Sequence, residues 1–150
     1  QKKFNELAKK NYFTETAKVF DYYYGTPLEN INKSFKKNNH ILFDIDWQGA
    51  KKIRKKFPNH VVDIFIMPPS IPELKRRLIK RGQDDINIVQ KRMKMAFNEM
   101  HHFNEYKYVL FNEKIPKTLA KIMNIISLER DLRKNLRNTE KILHESKKKI

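Results

Sequence analysis

The sequence predicts an α/β domain on a mostly parallel sheet with flanking helices, and two observations carry that prediction. The apolar run HILFDID ends in Asp and reads as a buried strand, and VVDIFIMPP reads as a strand with a Pro stop. From Gly49 onward, strand-like and helix-like stretches alternate regularly, and strands separated by helices need crossover connections that make them parallel. A length of 150 residues suits one ordinary domain with a real core.

Each element has its own warrant. QKKFNELAKKN places Phe4, Leu7 and Ala8 at helical spacing. FTETAKVFDYYYGTP, rich in Thr, Val, Phe and Tyr, reads as one or two strands closed by a Gly-Thr-Pro turn. LENINKSF is helical again, with Pro27 suited to a first helical turn. HILFDID is the buried strand, and KKIRKKF after it a short helix. VVDIFIMPP is a strand with a Pro stop. SIPELKRRLIKRG is a helix with Ser70 as N-cap, Pro72 early and Gly82 at its end. DDINIVQKRMKMAFNEMHHFNEY is a longer helix in which Ile86, Val89, Met93 and Phe97 recur every three or four residues. KYVLFN is a strand and IPKTLAKIMNIISLE a helix. Glu129 to Ile150 holds eight basic and four acidic residues and no aromatic, and either extends the last helix or frays.

Charge narrows the partners. Lys and Arg number 33 against 17 Asp and Glu, a formal net charge of +16. Such an excess points to an anionic partner (nucleic acid, a phosphorylated small molecule or an acidic membrane surface) or simply to a lysine-rich soluble surface. No RNP-like aromatic motif or other nucleic-acid signature is present, which disfavours the first. With no cysteine, disulfide frameworks and thiolate metal sites are excluded. No apolar run approaches the roughly 20 residues of a membrane helix, and no signal-peptide core opens the sequence. The expectation is a soluble, intracellular protein.

Chemistry concentrates at the end of HILFDID. Asp44 and Asp46 lie two residues apart and so share one face of the predicted strand. In open parallel sheets, ligands bind beyond the carboxyl ends of strands. Two carboxylates there can hold Mg²⁺ or accept hydrogen bonds from a base or ribose; alternatively they cap the next helix. Arg81 and Arg92 bracket the short segment QDDIN, which can fold over a phosphate and bring two forked cations onto its oxygens. Read singly, each arginine is a solvated surface residue, Arg76 and Arg77 more so. His101 and His102 are adjacent, so on a helix they point in different directions, which argues against a two-histidine metal site. Trp47 reads as a packing anchor.

These residues carry a resemblance. DIDWQGA, IMPPS-x-x-EL-x-RR, Arg81-Gly82 with Lys91-Arg92 following, and YVLFNE resemble guanylate kinase. Upstream, F-x-E at Phe13 to Glu15 followed by YYGTP resembles that family's GMP-binding region. The match runs in order from about Phe4 to about Ile126, and its combined motifs are highly specific. It implies a P-loop-kinase-like parallel sheet, a small mixed-β GMP-binding subdomain over 1–38, a core over 39–126 with a helical lid at about 81–92, and a basic tail over 127–150. It implies phosphoryl transfer from ATP to GMP with Mg²⁺, in purine nucleotide metabolism in the cytoplasm. Glu15 then matches the acid that reads guanine, Tyr24 a phosphate-contacting tyrosine and Thr26 the hydroxyl residue near the base. Asp44 and Asp46 match the acidic pair near the nucleotide and its Mg²⁺. Arg81 and Arg92 match lid arginines on the phosphates, and Asn112 the residue beside adenine.

One departure is large. The family opens with a Gly-rich phosphate loop, and nothing here reads G-x-x-x-x-G-K-[ST]; glycine occurs only at 25, 49 and 82. The chain therefore resembles the portion of a guanylate kinase after that loop, with the first strand and the P-loop absent. It is expected to be inactive alone and to associate through an exposed sheet edge as a homo-oligomer. The alternative expectation is a non-catalytic binding module for a protein or nucleic acid.

Overall fold

The computed structural model describes residues 1–19, 22–37, 39–81 and 86–147, with the side chains of 19, 81, 146 and 147 outside the description. Gly82 as a helix end and the middle of the expected lid thus lie outside the described residues. The chain divides into two compact units, Gln1–Val61 and Val62–Ile150. Among the described residues no helix is long and apolar enough to cross a membrane.

The first unit opens with helix α1, Lys2–Lys9. It ends because Asn11 adopts a positive φ of 55°, which Asn tolerates better than most residues. The Asn11 amide then donates to the Ala8 carbonyl and the Tyr12 amide to the Leu7 carbonyl, both at 3.1 Å, which satisfies the final turn's acceptors. Strands β1, Phe13–Val19, and β2, Tyr22–Pro27, pair antiparallel. The Gly-Thr-Pro sequence is not a turn: it lies inside β2, with Gly25 opposite Thr16. Glycine is needed there for space, since a Cβ would stand 2.8 Å from Phe13 Cδ1. Phe13 in turn stacks on Phe4 of α1 at 4.8 Å between ring centres.

Helix α2, Leu28–Lys36, starts after Pro27 and buries Ile31. Helix α3, Trp47–Lys56, buries Gly49, Ala50 and Ile53, one face at helical spacing, and packs against β1.

HILFDID overturns its prediction. Residues 39–46 form no strand, and Leu42 is 91 % exposed. A strand exists only with a ladder partner for its amides and carbonyls, and no described strand pairs with this segment. Asp44 and Asp46 consequently do not share a strand face.

In the second unit, β3, Ile64–Met67, and β4, Tyr108–Phe111, run parallel with Ile64 opposite Tyr108. Between them come α4, Ile71–Arg81, and α5, Ile86–Met100, which pack on each other. Ser70 Oγ accepts from the Glu73 amide at 3.3 Å, the predicted cap. The long predicted helix stops at Met100; His101 and His102 form a turn, and Phe103–Glu105 a single 3₁₀ turn. Helix α6, Ile115–Lys147, runs on through the charged stretch, so that stretch extends the last helix.

Candidate functional site

Glu15 lies on the same strand face as Ala17, two residues on, and both are buried. Between Phe13 and Glu15 the register slips by one residue. Adjacent strand residues ordinarily face opposite ways. The extra residue displaces Phe13 from the register that Glu15 keeps with the rest of the strand, and Thr14 and Glu15 are both buried, Glu15 at 4 % exposure. Opposite it, Thr26 Oγ1 donates to Glu15 Oε1 at 2.7 Å. Glu15 Oε2 and Thr14 Oγ1 have no hydrogen-bond partner among the described residues. Buried acceptors without donors are costly, so Oε2 is an acceptor that a donor from outside the chain would satisfy.

The first turn of α3 closes one side of this niche. Asp46 is its N-cap: Oδ1 accepts from the Gly49 amide at 2.9 Å and Oδ2 from Gln48 Nε2 at 3.2 Å. Gly49 faces Glu15, with its absent Cβ position 3.1 Å from Oε2. One turn on, Lys52 Nζ donates to the Thr16 carbonyl and lies 3.3 Å from Thr16 Oγ1, tying α3 to β1 beside the acid. A shallow cavity runs along Thr14, Glu15, Thr16 and Lys52, bounded by Asn11 and Phe13.

Of the residues singled out from sequence in this unit, Glu15 and Thr26 touch, and Asp46 reaches them through Gly49. Tyr24, opposite Ala17 on β2, is 53 % exposed. Asp44 is exposed. Asp46 caps α3 with both oxygens, each of which keeps a lone pair for a further donor. Among the described residues no three acidic or histidine side chains gather into a metal cluster. Mg²⁺ commonly takes one or two carboxylates and completes its shell with water and phosphate oxygens, which the exposed Asp44 carboxylate fits as a single ligand.

In the second unit, Asn112 follows β4. Its amide donates to the Met67 carbonyl at 2.8 Å, and its Oδ1 lies 3.1 Å from the buried Thr118 Oγ1. Arg77, expected to be a solvated surface residue, is half-buried and partnered. Its Nη2 donates to the Asn112 carbonyl at 2.9 Å, while Nε bonds Glu73 at 2.7 Å. Arg76 completes the group with a forked pair onto Glu73 at 2.6 and 2.7 Å. Hydrogen bonds from Arg76 and then Arg77 hold the Glu73 carboxyl down to about 2. Arg92 is half-buried on α5. Arg81 ends α4, and its side chain lies outside the described residues.

Three contributors escaped the sequence reading. Gly49 looked only like a boundary, and Lys52 like one cation among many. The Glu73–Arg77 pair at i, i+4 was a legible signal for Arg77, because two such residues meet on a helix face.

Comparison with known proteins fits this arrangement. A family model described as guanylate kinase matches residues 1–129. The chain belongs to the guanylate kinase family. A guanylate kinase of Rickettsia felis is 50 % identical over 128 residues, covering 85 % of this chain and 66 % of that protein. One from Haemophilus ducreyi is 46 % identical over 127 residues, covering 85 % of this chain and 61 % of its own length. Among solved structures, guanylate kinase from Anaplasma phagocytophilum superposes with a TM-score of 0.73 at 38 % identity, covering 86 % of this chain and 62 % of that one. The chain thus spans somewhat under two thirds of the length of most of these relatives.

Proposed function

We propose that these residues serve in ATP-dependent phosphorylation of GMP to GDP, as part of purine nucleotide metabolism in the cytoplasm. The observation that carries the proposal is Glu15: a buried carboxylate with one oxygen held by Thr26 and the other without a donor among the described residues. Guanine offers N1–H and a 2-amino group side by side, two donors for two acceptor oxygens. Adenine has no such pair on that edge, so the acid selects the acceptor nucleotide.

The other residues take roles that the family resemblance supports. Tyr24, exposed on β2, contacts the GMP phosphate, and Thr26 keeps the acid in one orientation. Asp44 contributes a carboxylate for Mg²⁺, which when bound neutralises charge on the donor phosphates. Asp46 fixes the start of α3 beside the base. Arg81 and Arg92 bring cations to the donor and transferring phosphates, and Asn112 lies beside adenine. Phosphoryl transfer needs in-line positioning and charge neutralisation more than covalent help, which suits arginines on a closing segment. In this reading 1–38 form the GMP-binding part, 39–126 the core with a lid at about 81–92, and 127–150 a basic tail.

A G-x-x-x-x-G-K-[ST] loop supplies backbone N–H donors and a lysine around the donor phosphates, and the 150 residues contain none. As an isolated polypeptide they bind GMP weakly and ATP more weakly still, and they associate through exposed apolar surface. The test is Glu15→Gln in the protein completed with a family-like phosphate-loop segment. GMP should weaken far more than ATP; an equal effect on both would overturn the assignment.

A further inference from the structure

Gly49 poses a question that backbone conformation does not answer. It sits in the first turn of α3 with no positive φ, so any residue is permitted there, and alanine would favour the helix more. What glycine supplies is space. A Cβ at this position would lie 3.1 Å from Glu15 Oε2, 3.2 Å from Ile45 Cβ and 3.4 Å from Ile45 Cδ1. Glu15 has little room to retreat, because Thr26 holds its other oxygen at 2.7 Å and the residue is 4 % exposed. Gly49 has little room either, because its amide is held by the Asp46 cap at 2.9 Å.

We infer that Gly49 is a positioning residue for Glu15: its missing side chain keeps Oε2 where the acid distinguishes a base edge with two donors from an edge with one. The inference rests on the guanine reading above and adds a specificity determinant to it. The cap at Asp46 and the acid at Glu15 are thereby coupled through one backbone position. Whatever shifts the first turn of α3 shifts the acceptor.

The sensitive readout is the preference for GMP over IMP, whose base has the same N1–H and lacks the 2-amino group. The isotopically labelled 150-residue protein is titrated with each nucleotide by NMR, as wild type, Gly49→Ala and Glu15→Gln. Gly49→Ala should weaken GMP by about tenfold or more and bring the GMP:IMP preference close to one, as a loss of about 1.4 kcal/mol per tenfold would do. Retained preference in Gly49→Ala alongside lost preference in Glu15→Gln overturns this inference and leaves the guanine reading standing. Retained preference in Glu15→Gln overturns both. Thermal melting supplies a second measurement should Gly49→Ala fold poorly. The substitution should lower the melting temperature more when Glu15 is present than in a Glu15→Ala background, and equal lowering in the two would overturn the contact.

Discussion

The two oxygens of Glu15 stand in different situations, and replacements should separate them. Glu15→Gln keeps the volume and turns one acceptor into a donor facing guanine's donors. The lost charge-assisted bond is worth about 1.5–3 kcal/mol, so GMP affinity should fall by about 10- to 100-fold while ATP changes little, as titration calorimetry of both nucleotides would register. Thr26→Val removes the donor and strands Oε1 as well. Because Glu15 is buried, urea unfolding should report a loss of about 1–3 kcal/mol. Glu15 and Thr26 were legible from F-x-E and YYGTP as motif members. Their contact was not, because it depends on the pairing register of β1 and β2, which places Glu15 opposite Thr26 and which composition does not name.

Helices and strands are held in register by a few polar ties, and two of them in the second unit yield predictions. Arg77 joins α4 to the backbone after β4. Arg77→Ala should speed amide exchange around Asn112, and lysine should rescue poorly because it cannot bond Glu73 and the Asn112 carbonyl with one planar fork. Unchanged exchange would show that the tie is dispensable.

The second tie joins β4 to α6. Glu129, 5 % exposed, accepts from Tyr108 Oη and from Lys107 Nζ at 2.6 Å. Those bonds, Lys107's first, hold the Glu129 carboxyl below its usual value, and Glu129 pushes the Lys107 ammonium and the Tyr108 phenol up. A lowered carboxylate contributes stability present above its unfolded pKa and lost as pH falls through the folded one. The raised lysine and phenol contribute stability present below their unfolded values and lost as pH rises through their folded ones. The melting-temperature gap between wild type and Glu129→Gln should therefore be full near neutrality and shrink below about pH 4.5, the ordinary range for such a carboxyl. A gap that widened in acid would contradict the clasp. Regular alternation made α4, β4 and α6 readable, whereas HILFDID misled: apolarity marks a segment that wants burial, and strand identity needs a partner that composition does not name.

For the molecule as a whole, the parts present set what the 150 residues can do. They carry an acid niche and arginine-bearing helices, and no phosphate loop. A coupled ADP-release assay with ATP, GMP and Mg²⁺ should find no turnover in the ordinary 1–10³ s⁻¹ range, and such turnover would refute the division of labour proposed above. The family and its α/β character were legible because ordered motifs survive from Phe13 to Asn112.

The bulge at Thr14 also sets how this protein tolerates change. It acts as a one-residue phase shift in β1, so the strand carries two alternation patterns that meet at that point. An exchange of side chain at Thr14 leaves the phase intact. Loss of a single codon there would restore an even ladder with every backbone partner available, and would turn either Phe13 away from Phe4 or Glu15 away from Thr26. The region should accept point substitutions more readily than in-frame deletions.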